Sequence, residues 1–148
     1  MRVLLDSNIL IRWLESQHPD QLLVQSAIDA LLAASTELCF TLQNVSEFWN
    51  ALTRPLDRNG YGLTPEETDR RVQAFESRLT FLADTPEVYR EWRLLLTHHA
   101  VRGVQVHDAR LVASMQVHGV NRILTFNTKD FARYSHIEAI HPAQVPAT

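Results

Sequence analysis

Apolar positions along the chain follow two rhythms: short unbroken runs, and longer segments with an apolar residue every three or four positions. Val3-Leu4-Leu5 is the first run and predicts a buried strand over residues 2–5. An amphipathic segment over 9–15 follows, broken at His18-Pro19-Asp20. Residues 22–34 place Leu23, Ala27, Ala30, Leu31 and Ala34 at helical spacing, and 37–40 form a second apolar run. Val45, Phe48, Trp49 and Leu52 mark a helix over 43–52, which Arg54-Pro55 ends. Residues 56–63, with Asn59-Gly60 and Gly62, are the most loop-like stretch. Thr64-Pro65-Glu66-Glu67 then carries a complete start signal: Thr64 accepts a free N–H, Pro65 lacks one, and Glu67 reaches back. Thr85-Pro86-Glu87 repeats the Thr-Pro-Glu opening after a third strand at 81–83 and predicts a helix towards His99. A further helix is expected from Asp108 to a left-handed cap at Gly119, then strands at 122–125 and 137–140.

Strands alternating with helices predict an α/β fold with a mostly parallel sheet of about five strands. Strands as uniformly apolar as Val3-Leu4-Leu5 and Ile123-Leu124 call for helices on both faces. In such sheets the ligand site forms at the carboxyl ends of the strands.

The 148 residues suit one domain, 1–148, with 45% apolar and 21% charged positions. A formal net charge of −3 gives no global nucleic-acid signature, although a local basic rim is compatible with it. The lone Cys39, between Leu38 and Phe40, is expected to be a small buried hydrophobe, which suits a reducing cytoplasm. Asp6 interrupts the only N-terminal apolar stretch, so no signal peptide is expected, and no run approaches the ~20 residues of a membrane span.

Charge changes this picture at the strand tips. Asp6 follows the first strand, and Glu47 lies about one turn into the helix after the second. Asp108 opens the helix before the fourth strand, and Asn127 and Asp130 follow that strand. Each acid alone has an ordinary explanation, as a turn residue, a solvated helix position or a partner of a helix dipole. Together they are costly. Two carboxylates at about 4 Å repel by roughly 4 kcal/mol at an effective dielectric of 20. Three would consume much of a domain's typical net stability of about 5–15 kcal/mol. Protonation of one acid or a bound cation relieves the repulsion, and oxygen-only donors favour Mg²⁺ or Mn²⁺ over zinc.

Three segments, L-L-D-S-N-I-L-I, N-V-S-E-F-W-N-A-L-T-R-P and H-D-A-R-L-V-A-S-M…I-L-T-F-N-T-K-D-F, occur in that order. Together they resemble PIN-domain ribonucleases, in particular the VapC-type toxins of bacterial toxin–antitoxin pairs, over residues 2–142. The resemblance implies a three-layer α/β/α sandwich and an Mg²⁺-dependent endoribonuclease. Asp6, Glu47 and Asp108 match the family's acidic triad, with Asp6 and Asp108 as metal ligands and Glu47 acting directly or through water. Ser7 and Asn8 match the small polar residues that help to position the metal site. A fourth family acid falls at Asn127 here, with Asp130 three residues on, which favours a one-metal site. An RNA substrate, a small cognate antitoxin that covers the acids and a homodimer are further implications. Arg12, Arg54, Arg110 and Lys129 are candidate holders of substrate phosphates.

His98, His99 and His107 lack zinc-ligand spacing, although His107 adjoins Asp108. Trp13, Trp49 and Trp92 fall among apolar helix positions and are expected in the core or a subunit interface. The segment 57–63 is expected to be either a lip beside the site or a plain turn. A phosphatase of the HAD type wants a second Asp where Asn8 stands, and a receiver-type phosphoacceptor wants a better placed lysine. The alternative from another class is a catalytically silent PIN-like module that binds RNA or protein, favoured only by Asn127.

Overall fold

The structure is a computed structural model and describes residues 1–146. Five strands, β1 (Arg2–Leu5), β2 (Glu37–Thr41), β3 (Thr80–Leu82), β4 (Arg122–Leu124) and β5 (Glu138–Ile140), form one sheet in the order β3-β2-β1-β4-β5. Every pairing is parallel, so the expected mostly parallel sheet is wholly parallel among the described residues. The α-helices among the described residues are α1 (Ser7–Trp13), α2 (Gln21–Ala33), α3 (Leu42–Thr53), α4 (Pro65–Glu76), α5 (Pro86–His98) and α6 (Gln105–Val117).

Side chains that alternate along the strands divide the core in two. Val3 and Leu5 of β1, Leu38 and Phe40 of β2, and Leu124 of β4 face a cluster built by α1, α2, α3 and α4. Leu4, Cys39 and Ile123 face the other way, onto α5 and α6. The result is the α/β/α sandwich. On the first face Phe75 of α4 meets Phe40 and Phe48 edge-on, at centroid separations of 5.4 and 5.2 Å. Trp13 is buried there, while Trp49 and Trp92 are partly buried against the two clusters. Cys39 is fully buried, and that burial pushes its thiol pKa up to about 11.

The start signals act as expected at two helices. Thr64 accepts from the Glu67 N–H while the Glu67 carboxylate accepts from the Thr64 N–H, and Thr85 accepts from the Val88 N–H. Two other starts differ from expectation. α1 begins at Ser7 rather than at residue 9, because Asp6 caps it. α6 begins at Gln105, so Asp108 sits within its first turn instead of opening it. Val104 provides no capping side chain, so the true start carries no sequence signal. Gly119, at φ +70°, follows α6 as expected.

The segment after α3 is a turn folded back on the helix rather than a free lip. Tyr61 and Leu63 donate backbone N–H bonds to Ala51 and Leu52, and Gly62 donates to Arg54. Gly60 packs so closely that a Cβ would lie 1.9 Å from the Arg54 carbonyl oxygen. Gly60→Ala is therefore expected to destabilise the fold by at least about 2 kcal/mol, measured by urea denaturation.

Candidate active site

β1 sits at the middle of the sheet, and its ladder continues one residue past its end, where the Asp6 N–H donates to the Leu124 carbonyl at 3.0 Å. Asp6 thereby stands at the carboxyl rim with its backbone fixed, and only 8% of it is exposed. Its Oδ1 accepts from the Ser7 N–H at 2.7 Å, and its Oδ2 accepts from the Thr125 hydroxyl at 2.7 Å. Thr125 follows β4, and its Oγ1 in turn accepts from the Asn127 N–H at 3.0 Å. Asn8 adds longer contacts, from Nδ2 to Asp6 Oδ2 at 3.4 Å and from the Phe126 N–H to its Oδ1 at 3.4 Å. Asn8 thus spans the first acid and the loop after β4.

β2 delivers the next part. Thr41 ends the strand and caps α3, and its backbone N–H and hydroxyl both donate to Asn44 Oδ1. Asn44 Nδ2 reaches across to the Ser7 Oγ at 3.1 Å, tying α3 to α1. One position earlier, Gln43 Nε2 donates to Glu47 Oε1 and to the His107 carbonyl, each at 2.8 Å, tying α3 to α6. The first turn of α3 therefore touches both helices that carry the aspartates.

Electrostatics link the acids across these elements. The Asp6 carboxyl is pushed up to about 6, by burial first and then by the charges of Glu47 and Asp130, against the pull of the Thr125 and Ser7 hydrogen bonds. Asp108 also rises to about 6, through burial first and then the charges of Asp6, Asp130 and Glu47, with Arg133 opposing. Asp6, Glu47, Asp108 and Asp130 therefore share one field. Among the described residues no three His, Cys, Asp or Glu side chains converge into a ready-made metal cage. The residues fit a hard ion that takes few protein oxygens and retains waters, because the donors are oxygens and both aspartates hold their protons unusually tightly.

The remaining expected residues are dispersed in role. Arg12 is taken up by Glu15, at 2.6 Å, and by the Tyr61 hydroxyl. Arg110 pairs with Asp84, beyond the end of β3. These two guanidiniums are paired with carboxylates, whereas Arg54 and Lys129 are exposed. Asp130 lies inside a 3₁₀ turn, Thr128–Phe131; Asn127 precedes that turn, and both are exposed. His107 enters through its backbone carbonyl, while His98 and His99 stack near Tyr134. Thr125, Gln43, Asn44 and Arg133 are the contributors not singled out from sequence. A hydroxyl two residues before Asn127 was the only signal for any of them.

A model of the PIN domain matches residues 3–137. The chain belongs to the PIN-domain family. Solved structures with the same fold include the Rickettsia felis VapBC2 complex bound to a promoter DNA fragment. It has a TM-score of 0.70 and 17% identity, covering 95% of this PIN chain and 98% of its own. The DNA-bound VapBC of Salmonella typhimurium has a TM-score of 0.68 and 18% identity, covering 96% and 98%. The sarcin–ricin loop cleaving toxin VapC20 of Mycobacterium tuberculosis has a TM-score of 0.66 and 14% identity, covering 89% and 95%. No curated protein sequence matches the chain significantly.

A carboxyl with a raised folded pKa binds its proton more tightly folded than unfolded. Stability is therefore lost as pH rises from about 4 to about 6. For buried Asp6, pushed up to about 6, this corresponds to about 3 kcal/mol, and half-exposed Asp108 contributes less. Without divalent cations, Asp6→Asn is expected to be about 1–3 kcal/mol more stable than the wild type at pH 7.5, with no such gain at pH 4. Urea denaturation in EDTA at the two pH values checks this.

Proposed function

We propose that this PIN domain is a metal-dependent endoribonuclease and the toxin of a bacterial toxin–antitoxin pair, acting in the cytoplasm. The observation that carries the reading is the buried Asp6 at the rim of a PIN-family sheet, whose charge, with those of Asp130 and Glu47, raises the proton affinity of Asp108. Asp6 and Asp108 would hold Mg²⁺, or Mn²⁺ in its place, with Glu47 reaching it directly or through water. Bound there, the ion supplies positive charge against the charge that builds on the scissile phosphate.

The chain's own residues do the rest. Thr125 and Ser7 hold the two Asp6 oxygens in fixed directions, so the carboxylate need not reorganise on binding. Glu47 would take a proton from the attacking water as the water oxygen bonds to phosphorus; the P–O bond on the far side breaks, and the departing ribose oxygen takes a proton from solvent. Asp130 adds negative charge at the rim, while Asn8 and Asn127 contribute amides without charge. Exposed Arg54 and Lys129 are the remaining candidates for flanking phosphates. The structural neighbours include DNA-bound VapBC complexes and a sarcin–ricin loop cleaving toxin, which supports an RNA substrate and an antitoxin partner here; a homodimer is part of the same proposal. No helix among the described residues is long and apolar enough to cross a membrane.

The second reading, a silent PIN-like binding module, draws on Asn127 alone. RNA cleavage separates the two. Incubation with mixed RNAs is expected to give cleavage in Mg²⁺, none in EDTA, and a loss of at least about 100-fold for Asp6→Asn. Binding with no cleavage of any RNA would favour the silent module, and undiminished cleavage in EDTA would remove the metal mechanism. Overproduction is expected to arrest growth, and Asp108→Ala to restore it. Arrest by that variant at wild-type strength would count against toxicity through catalysis.

A further inference from the structure

Gln43 carries an unmet cost between α3 and α6. Only 5% of it is exposed. Its Nε2 donates to Glu47 Oε1 and to the His107 carbonyl oxygen, both at 2.8 Å. Both partners are acceptors, so only the amide nitrogen can face them, and the orientation of the amide is set by chemistry. Its Oε1 is consequently turned where no donor meets it, buried and unpartnered. An unpaired buried acceptor is destabilising, and an apolar side chain of the same length would avoid it. Asn44, next in sequence, offers the contrast: its Oδ1 accepts from Thr41 and its Nδ2 donates to Ser7.

The nitrogen's two partners explain why the orphan oxygen is tolerated. Glu47 lies one helical turn along α3 on the same face, and His107 immediately precedes Asp108 in α6. One amide group thus spans the helices that carry two of the acids. We propose that Gln43 is a positioning residue: a clamp that fixes where Glu47 stands relative to Asp108, and so sets how tightly the acids share a divalent cation. This rests on the acids being a cation site, as argued above.

Mn²⁺ binding, followed by electron paramagnetic resonance of the free ion, and melting temperature in EDTA test the clamp. The set is the wild type, Gln43→Met, Glu47→Gln and the double variant. Gln43→Met is expected to melt no lower than the wild type, since the orphan acceptor leaves with the donors. It is expected to bind Mn²⁺ about tenfold more weakly. In the Glu47→Gln background the same change is expected to have no further effect. Gln43→Asn, too short to reach both partners, is expected to show the same loss. A lower melting temperature with unchanged Mn²⁺ affinity would mark Gln43 as packing only and overturn the clamp, as would full affinity in Gln43→Asn. An equal loss with and without the Glu47 carboxylate would do the same. Failure of the wild type itself to bind Mn²⁺ would overturn the cation site, and the clamp with it.

Discussion

An anion placed at the buried end of a central strand is the constraint around which this molecule is organised. Asp6 cannot turn away, because its N–H is part of the sheet and its two oxygens are held by Ser7 and Thr125. Burial alone would favour the neutral acid, and the hydrogen bonds favour the carboxylate; burial wins, which brings the group up to about 6. The charged form of the site is therefore less favoured than that of an exposed carboxylate. Any positive charge that arrives at the rim offsets that. A rigid ligand with a disfavoured charge suits a site that must take up and orient a cation.

The neighbouring elements are arranged to keep that carboxylate in register with others from remote parts of the chain. The first turn of α3 does most of this work, since Asn44 fastens it to α1 and Gln43 fastens it to α6. Polar side chains at helix starts usually satisfy their own helix. Here two consecutive amides satisfy neighbouring helices as well. Thr125 closes the circuit from β4, and Asn8 links Asp6 to the backbone beyond it. The acid cluster thus has polar support on several sides, while the apolar clusters above and below the sheet carry the bulk of the burial.

Much of this was legible in the chain because it depends on local rules. Strand runs, threonine caps and the acids at strand tips each announce themselves within a few residues. What was not legible depends on partners far apart in sequence. Thr125 meets Asp6 across 119 positions, and Gln43 meets His107 across 64. The fate of the arginines was hidden for the same reason. A positive charge in a sequence does not reveal that Glu15 and Tyr61 will claim Arg12, or that Asp84 will claim Arg110. Arg133, the cation whose charge reaches Asp108, lies just after a 3₁₀ turn, where no periodicity points inward. The early start of α6 was missed because a helix without a capping side chain leaves no mark.

The brevity of the outer strands has a consequence of its own. β3 and β5 border the sheet, and each has three residues. A parallel sheet closed at neither side exposes a line of unused backbone donors and acceptors along each border, which invites stray chains to add on. Three residues give such an intruder too little backbone to grip. The protein can leave both borders of its sheet open and still resist polymerising through them.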